Sequence, residues 1–188
     1  MKHENHKMMS EKEMENVMKK RHNFRKKQHR TIRGDELKLD ELKIIIENSF
    51  LNINEFLKSD GSYYICSPQG GEMGLMMMMM ENCGIKCRHV LIWLKDREVF
   101  SMGRLDYSYK HEPILYGWKE KHNFYGKNEK SVWEIPRPKE SKDHPTQKPI
   151  ELCIKGIQNS SKRNDIVLDL FGGSGSTFFC SFIFYIYL

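Results

Sequence analysis

The chain has 188 residues, of which 39% are hydrophobic and 30% charged, which is sufficient for one domain with its own core. No apolar run reaches the roughly 20 residues that a membrane span requires, and the polar N-terminus shows no secretory signal. We therefore expect a cytoplasmic protein without membrane contacts. The five cysteines are odd in number and scattered, which favours reduced thiols and predicts no metal site.

Positive charge is concentrated at the start of the sequence. The formal net charge is +6, and residues 1–34 contain eleven Lys or Arg against four Glu. We predict that this segment is a basic arm, helix-prone or disordered, on a body that is close to neutral. Such an arm suits binding to nucleic acid, and the alternative is a solvated tail.

Helical and strand patterns alternate along the rest of the chain. Apolar residues recur every three or four positions from Leu39 to Leu57, which is typical of an amphipathic helix. Short apolar runs separated by turn residues are typical of strands. The predicted helices are 38–58, 72–83 and 148–159, and the predicted strands are 62–67, 88–95, 111–117 and 165–170. The second strand is almost continuously apolar, which predicts that both of its faces are covered.

The most informative stretch is an apolar run followed by a glycine-rich turn. The run ends near Asp169, and Gly172, Gly173 and Gly175 follow. Glycines in such a turn let the backbone pass close to a ligand. A strand that leads into this kind of turn, with an acid at its end, is typical of nucleotide sites in open α/β sheets.

Phosphate-binding versions of this turn do not match the sequence. A P-loop requires a lysine after its last glycine, and there is none here. The dinucleotide fingerprint requires a third glycine at the position of Phe178. A loop with a carboxylate and no cation suits a ligand that has an ammonium group and no phosphate. S-adenosylmethionine is such a ligand.

Two motifs together resemble a known family. His144-Pro-Thr-Gln-Lys-Pro149 precedes Asp169-Leu-Phe-Gly-Gly-Ser-Gly-Ser-Thr177 by about twenty residues. In this order they resemble the β-group of amino-methylating DNA methyltransferases, which make N6-methyladenine or N4-methylcytosine. The stretches V-L-I-W-L-K and H-E-P-I-L-Y-G-W-K are arranged as in the same enzymes.

The resemblance implies an α/β fold with an incomplete, Rossmann-like methyltransferase sheet, mainly parallel strands and a circularly permuted motif order. It implies a partial methyltransferase domain at residues 35–177. It further implies that both motifs line a pocket for S-adenosylmethionine, with Asp169 accepting from its ammonium group and Phe171 beside it. The predicted cofactor-binding residues are His144, Pro145, Thr146, Gln147, Lys148, Asp169, Phe171, Gly172, Gly173, Gly175, Ser176 and Thr177.

The resemblance also implies a target-recognition segment at residues 119–143, where aromatic side chains lie among cations. Such side chains suit backbone contacts and stacking on bases. The alternative is an ordinary surface loop. His111 and Glu112 would make an acid–base pair if their side chains met. Neighbours on a strand point to opposite faces, however, so we predict structural roles for both.

The family's catalytic tetrapeptide, Asp-Pro-Pro-Tyr or a close variant, has no match in the sequence. The chain has six prolines, and no two are adjacent. In the family this tetrapeptide stacks on the flipped base and accepts hydrogen bonds from its amine. An acid that holds the ribose would fall about 20 residues after Asp169, past residue 188. No catalytic residue is predicted, and we interpret the chain as an inactive methyltransferase fragment, truncated at both ends.

Residues 178–188 form an apolar tail that contains no charge. It is either a buried strand or foreign sequence read through at the end. The expected partners are double-stranded DNA and a complementary fragment with the missing tetrapeptide. Two other functions stay open: a non-catalytic remnant that binds DNA or a partner, and an unrelated nucleotide-site protein that shares only the glycine loop. The HPTQKP segment disfavours the second.

Overall fold

The computed structural model describes residues 37–98, 106–138 and 147–184, and the predicted basic arm at 1–34 lies outside them. The described part of the chain contains both helices and strands, so the α/β class is confirmed. The elements are α1 (Leu39–Phe56), β1 (Ser62–Cys66), α2 (Gly71–Asn82), β2 (His89–Leu94), β3 (His111–Trp118), β4 (Val132–Glu134), α3 (Ile150–Ser160) and α4 (Ser176–Phe184). None of the described helices combines the length and the apolar character needed to cross a membrane.

The four strands form one sheet in the order β1-β3-β2-β4. β3 is antiparallel to both β1 and β2, and only β2 and β4 are parallel. The prediction of mainly parallel strands is therefore wrong for the described sheet. Antiparallel β3 inserts between β1 and β2, and hydrophobic runs alone do not encode strand direction. β4 was not predicted, because three residues are too few to show an alternating pattern.

Helices cover both faces of β3. On one face, Leu115 is fully buried in a cluster with Phe50 of α1 and Met80 of α2. On the other face, Ile114 packs with Trp93 and Leu152, and Leu152 belongs to α3. The methionine run of α2 thus contributes to the core.

β2 is less covered than its sequence predicts. Trp93 is buried, but His89 and Val90 at the start of the strand are exposed. The expectation that both faces of β2 are covered is therefore wrong, and β3 has that environment instead. The reason is that α1 and α2 pack over β1 and β3, as the contacts of Leu115 show.

The segment predicted as a strand at 165–170 forms no strand of the sheet. Ile166 makes only an isolated bridge, and Ile166 and Leu168 are each 69% exposed. The strand prediction is therefore wrong for the described residues. The physical reason is that a regular strand requires consecutive backbone hydrogen bonds to a neighbouring strand, and among residues 165–170 only Ile166 makes a bridge.

The tail begins as a helix. Ser176 to Phe184 form α4, so the alternative of a buried strand is wrong for residues 178–184. Cys180 of α4 is fully buried against Ile157 of α3, with Val167 beside them. The glycine turn is therefore held between two helices that pack on each other.

Candidate cofactor-binding site

A cavity of about 170 Å³ lies where the two sequence motifs meet. Its lining residues come from the end of the HPTQKP segment, from α3 and from the glycine turn with the start of α4. They are Gln147, Lys148, Cys153, Asp169, Phe171, Gly172, Gly173, Ser174, Ser176 and Thr177. Segments some twenty residues apart in sequence thus share one wall.

The glycine turn is shaped by its own hydrogen bonds. The Phe171 amide donates to Oδ1 of Asp169 at 3.0 Å, and the Gly175 amide donates to the Gly172 carbonyl at 2.7 Å. Gly173 and Gly175 have φ angles of 51° and 78°, a region in which residues with a Cβ are strained. A carbon added at Gly172 would meet nothing within 4 Å. The backbone of the turn is therefore open to a ligand.

Ser176 ties the turn to the HPTQKP segment. Its hydroxyl donates to the Lys148 carbonyl at 2.8 Å, and the serine is buried. Thr177 lies one residue further along α4, with its hydroxyl 3.8 Å from the Cys153 sulfur. Because Ser176 and Thr177 both line the cavity, the first turn of α4 faces it, and the positive end of the helix dipole favours negative groups.

Lys148, which lines the cavity, belongs to a network of charged side chains. Glu112, at the start of β3, accepts from Lys95 at 2.7 Å and from Lys148 at 2.5 Å. Lys95 is only 3% exposed. Burial raises the pKa of Glu112, but the charges and hydrogen bonds of Lys148 and Lys95 outweigh it and hold that pKa below its usual value.

The structure brings most of the predicted cofactor residues together. Gln147, Lys148 and the predicted residues from Asp169 to Thr177 line the cavity, except Gly175, which contributes to the turn through its positive φ angle. His144, Pro145 and Thr146 lie outside the described residues.

Four residues of this site were not predicted as part of it. Ser174 and Cys153 line the cavity. The sequence signal for Ser174 was its place inside the glycine motif, whereas Cys153 is revealed only by the packing of α3 on α4. Glu112 and Lys95 were missed because their pairing depends on the register of β2 and β3, in which Trp93 is opposite Glu112.

Within the described residues, the predicted target-recognition segment includes β4, and it begins at the opposite end of β3 from Glu112. There the rings of Trp118 and His122 stack with centroids 3.9 Å apart, and Phe124 stacks on His122. The Arg88 guanidinium lies 5.0 Å from the Trp118 ring centre. These rings contact one another rather than standing free, so base stacking by this segment stays a prediction.

A larger cavity, of about 260 Å³, lies beside those rings. Its lining residues are Tyr63, Gly84, Ile85, Lys86, Arg88, Trp118 and Lys119. The Lys119 ammonium donates to the carbonyls of Asn54 and Leu57 at the end of α1, so it caps that helix. No residue of the two motifs lines this cavity, and the smaller one is therefore the candidate site.

Comparison with known proteins places the motifs in context. The family model of N6/N4 methyltransferases, described as DNA methylase, matches residues 16–181. The type II methyltransferase M2.MboI of Moraxella bovis is 26% identical over 141 residues, which are 65% of this chain and 50% of that protein. The type II methyltransferase M.HinfI of Haemophilus influenzae is 33% identical over 144 residues, 64% of this chain and 39% of that protein. The chain thus spans half or less of these relatives' length.

Solved structures show the same similarity. The M1.HpyAVI–SAM complex is 25% identical, with a TM-score of 0.62, and the match covers 80% of this chain and 74% of that one. The cytosine-N4-specific PvuII DNA methyltransferase has a TM-score of 0.66 at 15% identity, covering 85% of this chain and 68% of that one. The second likeness concerns the fold alone.

Proposed function

The chain belongs to the N6/N4 family of DNA methylases, and we propose that its described part is the cofactor-binding portion of a DNA methyltransferase. In this family a methyl group passes from S-adenosylmethionine to an exocyclic amine of adenine or cytosine. The observation that carries the proposal is the shared cavity, in which Gln147 and Lys148 meet Asp169 and the glycine turn.

The residues of the cavity fit one end of S-adenosylmethionine. Asp169 is half-buried, and one of its oxygens accepts from the Phe171 amide, which leaves the second oxygen able to accept from an ammonium group. The first turn of α4 suits the carboxylate of the methionine end. The cavity is smaller than the roughly 300–1,000 Å³ of typical ligand pockets. It therefore accommodates the methionine end rather than the whole cofactor.

We assign each residue a role in holding that end. Asp169 binds the ammonium, and the open backbone at Gly172 and Gly173 lets the ligand approach the turn. Phe171, 66% exposed, provides an apolar surface for the ligand. The Ser176 hydroxyl donates to the Lys148 carbonyl and thereby fixes the backbone position of Lys148. S-adenosylmethionine supplies the activated methyl group when bound.

Methyl transfer also requires a group that holds the target amine in line with that methyl. Such positioning lowers the activation barrier by roughly several kcal/mol. In the family an Asp-Pro-Pro-Tyr-type motif does this, and the 188 residues contain no adjacent prolines. We therefore propose that this polypeptide alone does not methylate DNA. A fragment that carries the motif is the partner that would supply the missing group.

A second candidate is a remnant that binds DNA without catalysis. The eleven basic residues of 1–34 favour it. Such binding would be sensitive to salt and nearly independent of sequence, because it rests on phosphate contacts. A chain could bind both DNA and the cofactor, so each function requires its own measurement. A salt titration of binding to duplex DNA tests the DNA-binding remnant.

Calorimetry tests the cofactor site directly. The wild-type chain should bind S-adenosylmethionine weakly, and Asp169→Asn should weaken binding at least about tenfold, as expected for a lost charged hydrogen bond. Asp165→Asn is the matched control. That carboxylate accepts from the Lys162 amide in a nearby turn and does not line the cavity, so binding should be unchanged. Tight binding that survives Asp169→Asn would refute the assignment.

A further inference from the structure

Glu112 does not line the cavity, but it compensates the charge of a lysine that does. Only two of the described residues that line the cavity are charged, Lys148 and Asp169. Lys148 is paired with Glu112, which also pairs with the buried Lys95. The four groups carry two positive and two negative charges, so the cluster is neutral. Without Glu112, the two lysines would exceed Asp169 by one charge.

Both lysine ammonium groups are held in fixed places. They lie 5.2 Å and 5.5 Å from the Trp93 ring centre, and Trp93 is buried. The aromatic ring and the carboxylate therefore hold Lys148 from two sides. A cation fixed in this way acts on a ligand through its charge, and Glu112 decides how much of that charge is compensated.

We propose that Glu112 is a specificity-determining residue, which keeps the cavity neutral and thereby lets it bind the sulfonium cofactor S-adenosylmethionine without a charge penalty relative to the uncharged thioether S-adenosylhomocysteine. This inference rests on the proposed function of the cavity. The two compounds differ by one methyl group and one positive charge at sulfur. An added positive charge in the cavity wall disfavours the sulfonium and leaves the thioether almost unaffected.

The test is a ratio of two affinities. In Glu112→Gln, the affinity for S-adenosylmethionine relative to that for S-adenosylhomocysteine should fall about three- to tenfold, as expected for one charge at about 10 Å in a partly buried site. Calorimetry with each compound gives both dissociation constants. Adding Lys95→Met to Glu112→Gln makes the cluster neutral again and should restore the wild-type ratio.

The matched control is a second lysine–carboxylate pair. Glu129 pairs with Lys155 at 2.8 Å, and both side chains are 34% exposed. Lys155 lies 5.4 Å from the Trp133 ring centre, much as Lys148 lies near Trp93. Neither residue lines the cavity. Glu129→Gln should therefore leave the ratio unchanged.

Each outcome decides the proposal. If Glu112 had a purely structural role, its substitution would weaken the binding of both compounds by the same factor. A constant affinity ratio would therefore overturn the proposal, and so would failure of Lys95→Met to restore the ratio. If Glu112→Gln does not fold, Lys148→Met decides instead. It leaves Glu112 paired with Lys95 and removes one positive charge, so the ratio should rise by a similar factor, and a constant ratio would contradict the proposal.

Failure of the proposed function would give a different binding result. If the wild-type chain binds neither compound, that function is wrong, and adenosine monophosphate becomes the probe. Its phosphate should bind Glu112→Gln about three- to tenfold more tightly than wild type, because the lysines are no longer compensated. Equal binding, or binding by neither protein, would overturn the role of Glu112.

Discussion

Two strand-like segments of this protein lie in opposite environments. β3 contains the run Pro113–Tyr116, which is buried between strands on both sides and helices on both faces. The run Ile166–Leu170 is also rich in apolar residues, but its side chains at Ile166, Leu168 and Leu170 are exposed. Composition therefore sets the tendency to be buried, and the neighbouring elements decide whether burial occurs.

The same contrast extends to the cavity, which lies between the two regions. One wall rests on the sheet through Glu112, and the other is the glycine turn that follows the exposed run. The sheet side is fixed by ion pairs and buried rings, whereas the turn is fixed by its own hydrogen bonds and by the contact of α3 with α4. Substitutions in the two regions should therefore differ in their effect on stability.

Leucine truncation should show the largest difference. Leu115→Ala removes a fully buried side chain and should lower the free energy of unfolding by about 3 kcal/mol, since it leaves a cavity in the core. Leu168→Ala, at a residue 69% exposed, should change it by less than about 0.5 kcal/mol. Urea denaturation of both variants measures the difference. A loss at Leu168 equal to that at Leu115 would mean that the run is buried in solution.

Added methyl groups should give a smaller difference. A Cβ at Gly117 of β3 would meet the Tyr63 ring at 2.6 Å and would also clash with the Lys86 carbonyl, so Gly117→Ala should cost about 1–3 kcal/mol through overpacking. Gly172→Ala has open space and should leave stability within about 0.5 kcal/mol. Thermal unfolding compares the two, and equal melting temperatures would contradict the difference in packing.

The acid dependence of stability should reveal the contribution of Glu112. Its pKa in the folded chain is held below the usual value of 4.5, so its ion pairs contribute fully above that pH. The contribution is lost as the pH falls through the lowered folded pKa. The stability difference between wild type and Glu112→Gln should therefore shrink below about pH 4.5. Urea denaturation from pH 7 to pH 3 measures it, and a constant difference would exclude the charge of Glu112 as its source.

The sequence predicted local elements well because their signals are local. The helical period from Leu39 to Leu57 and the turn after it determined α1, and Pro149 marked the start of α3. The cofactor motifs were recognisable because glycines and an acid have fixed spacings. Strand direction, the pairing of Glu112 with Lys95 and the exposure of Leu168 were not predictable, because each depends on a partner that is distant in sequence.

Methyl transfer tests the central proposal most directly, namely that this member of the methyltransferase family binds the cofactor in its cavity but does not by itself hold the target amine. Purified chain, unmethylated duplex DNA and S-adenosylmethionine with a labelled methyl group should give no incorporation. Adding a co-expressed fragment with an Asp-Pro-Pro-Tyr motif should restore incorporation, and Asp169→Asn should abolish it again. Incorporation by the chain alone would contradict the claim, because another of its residues would then position the amine.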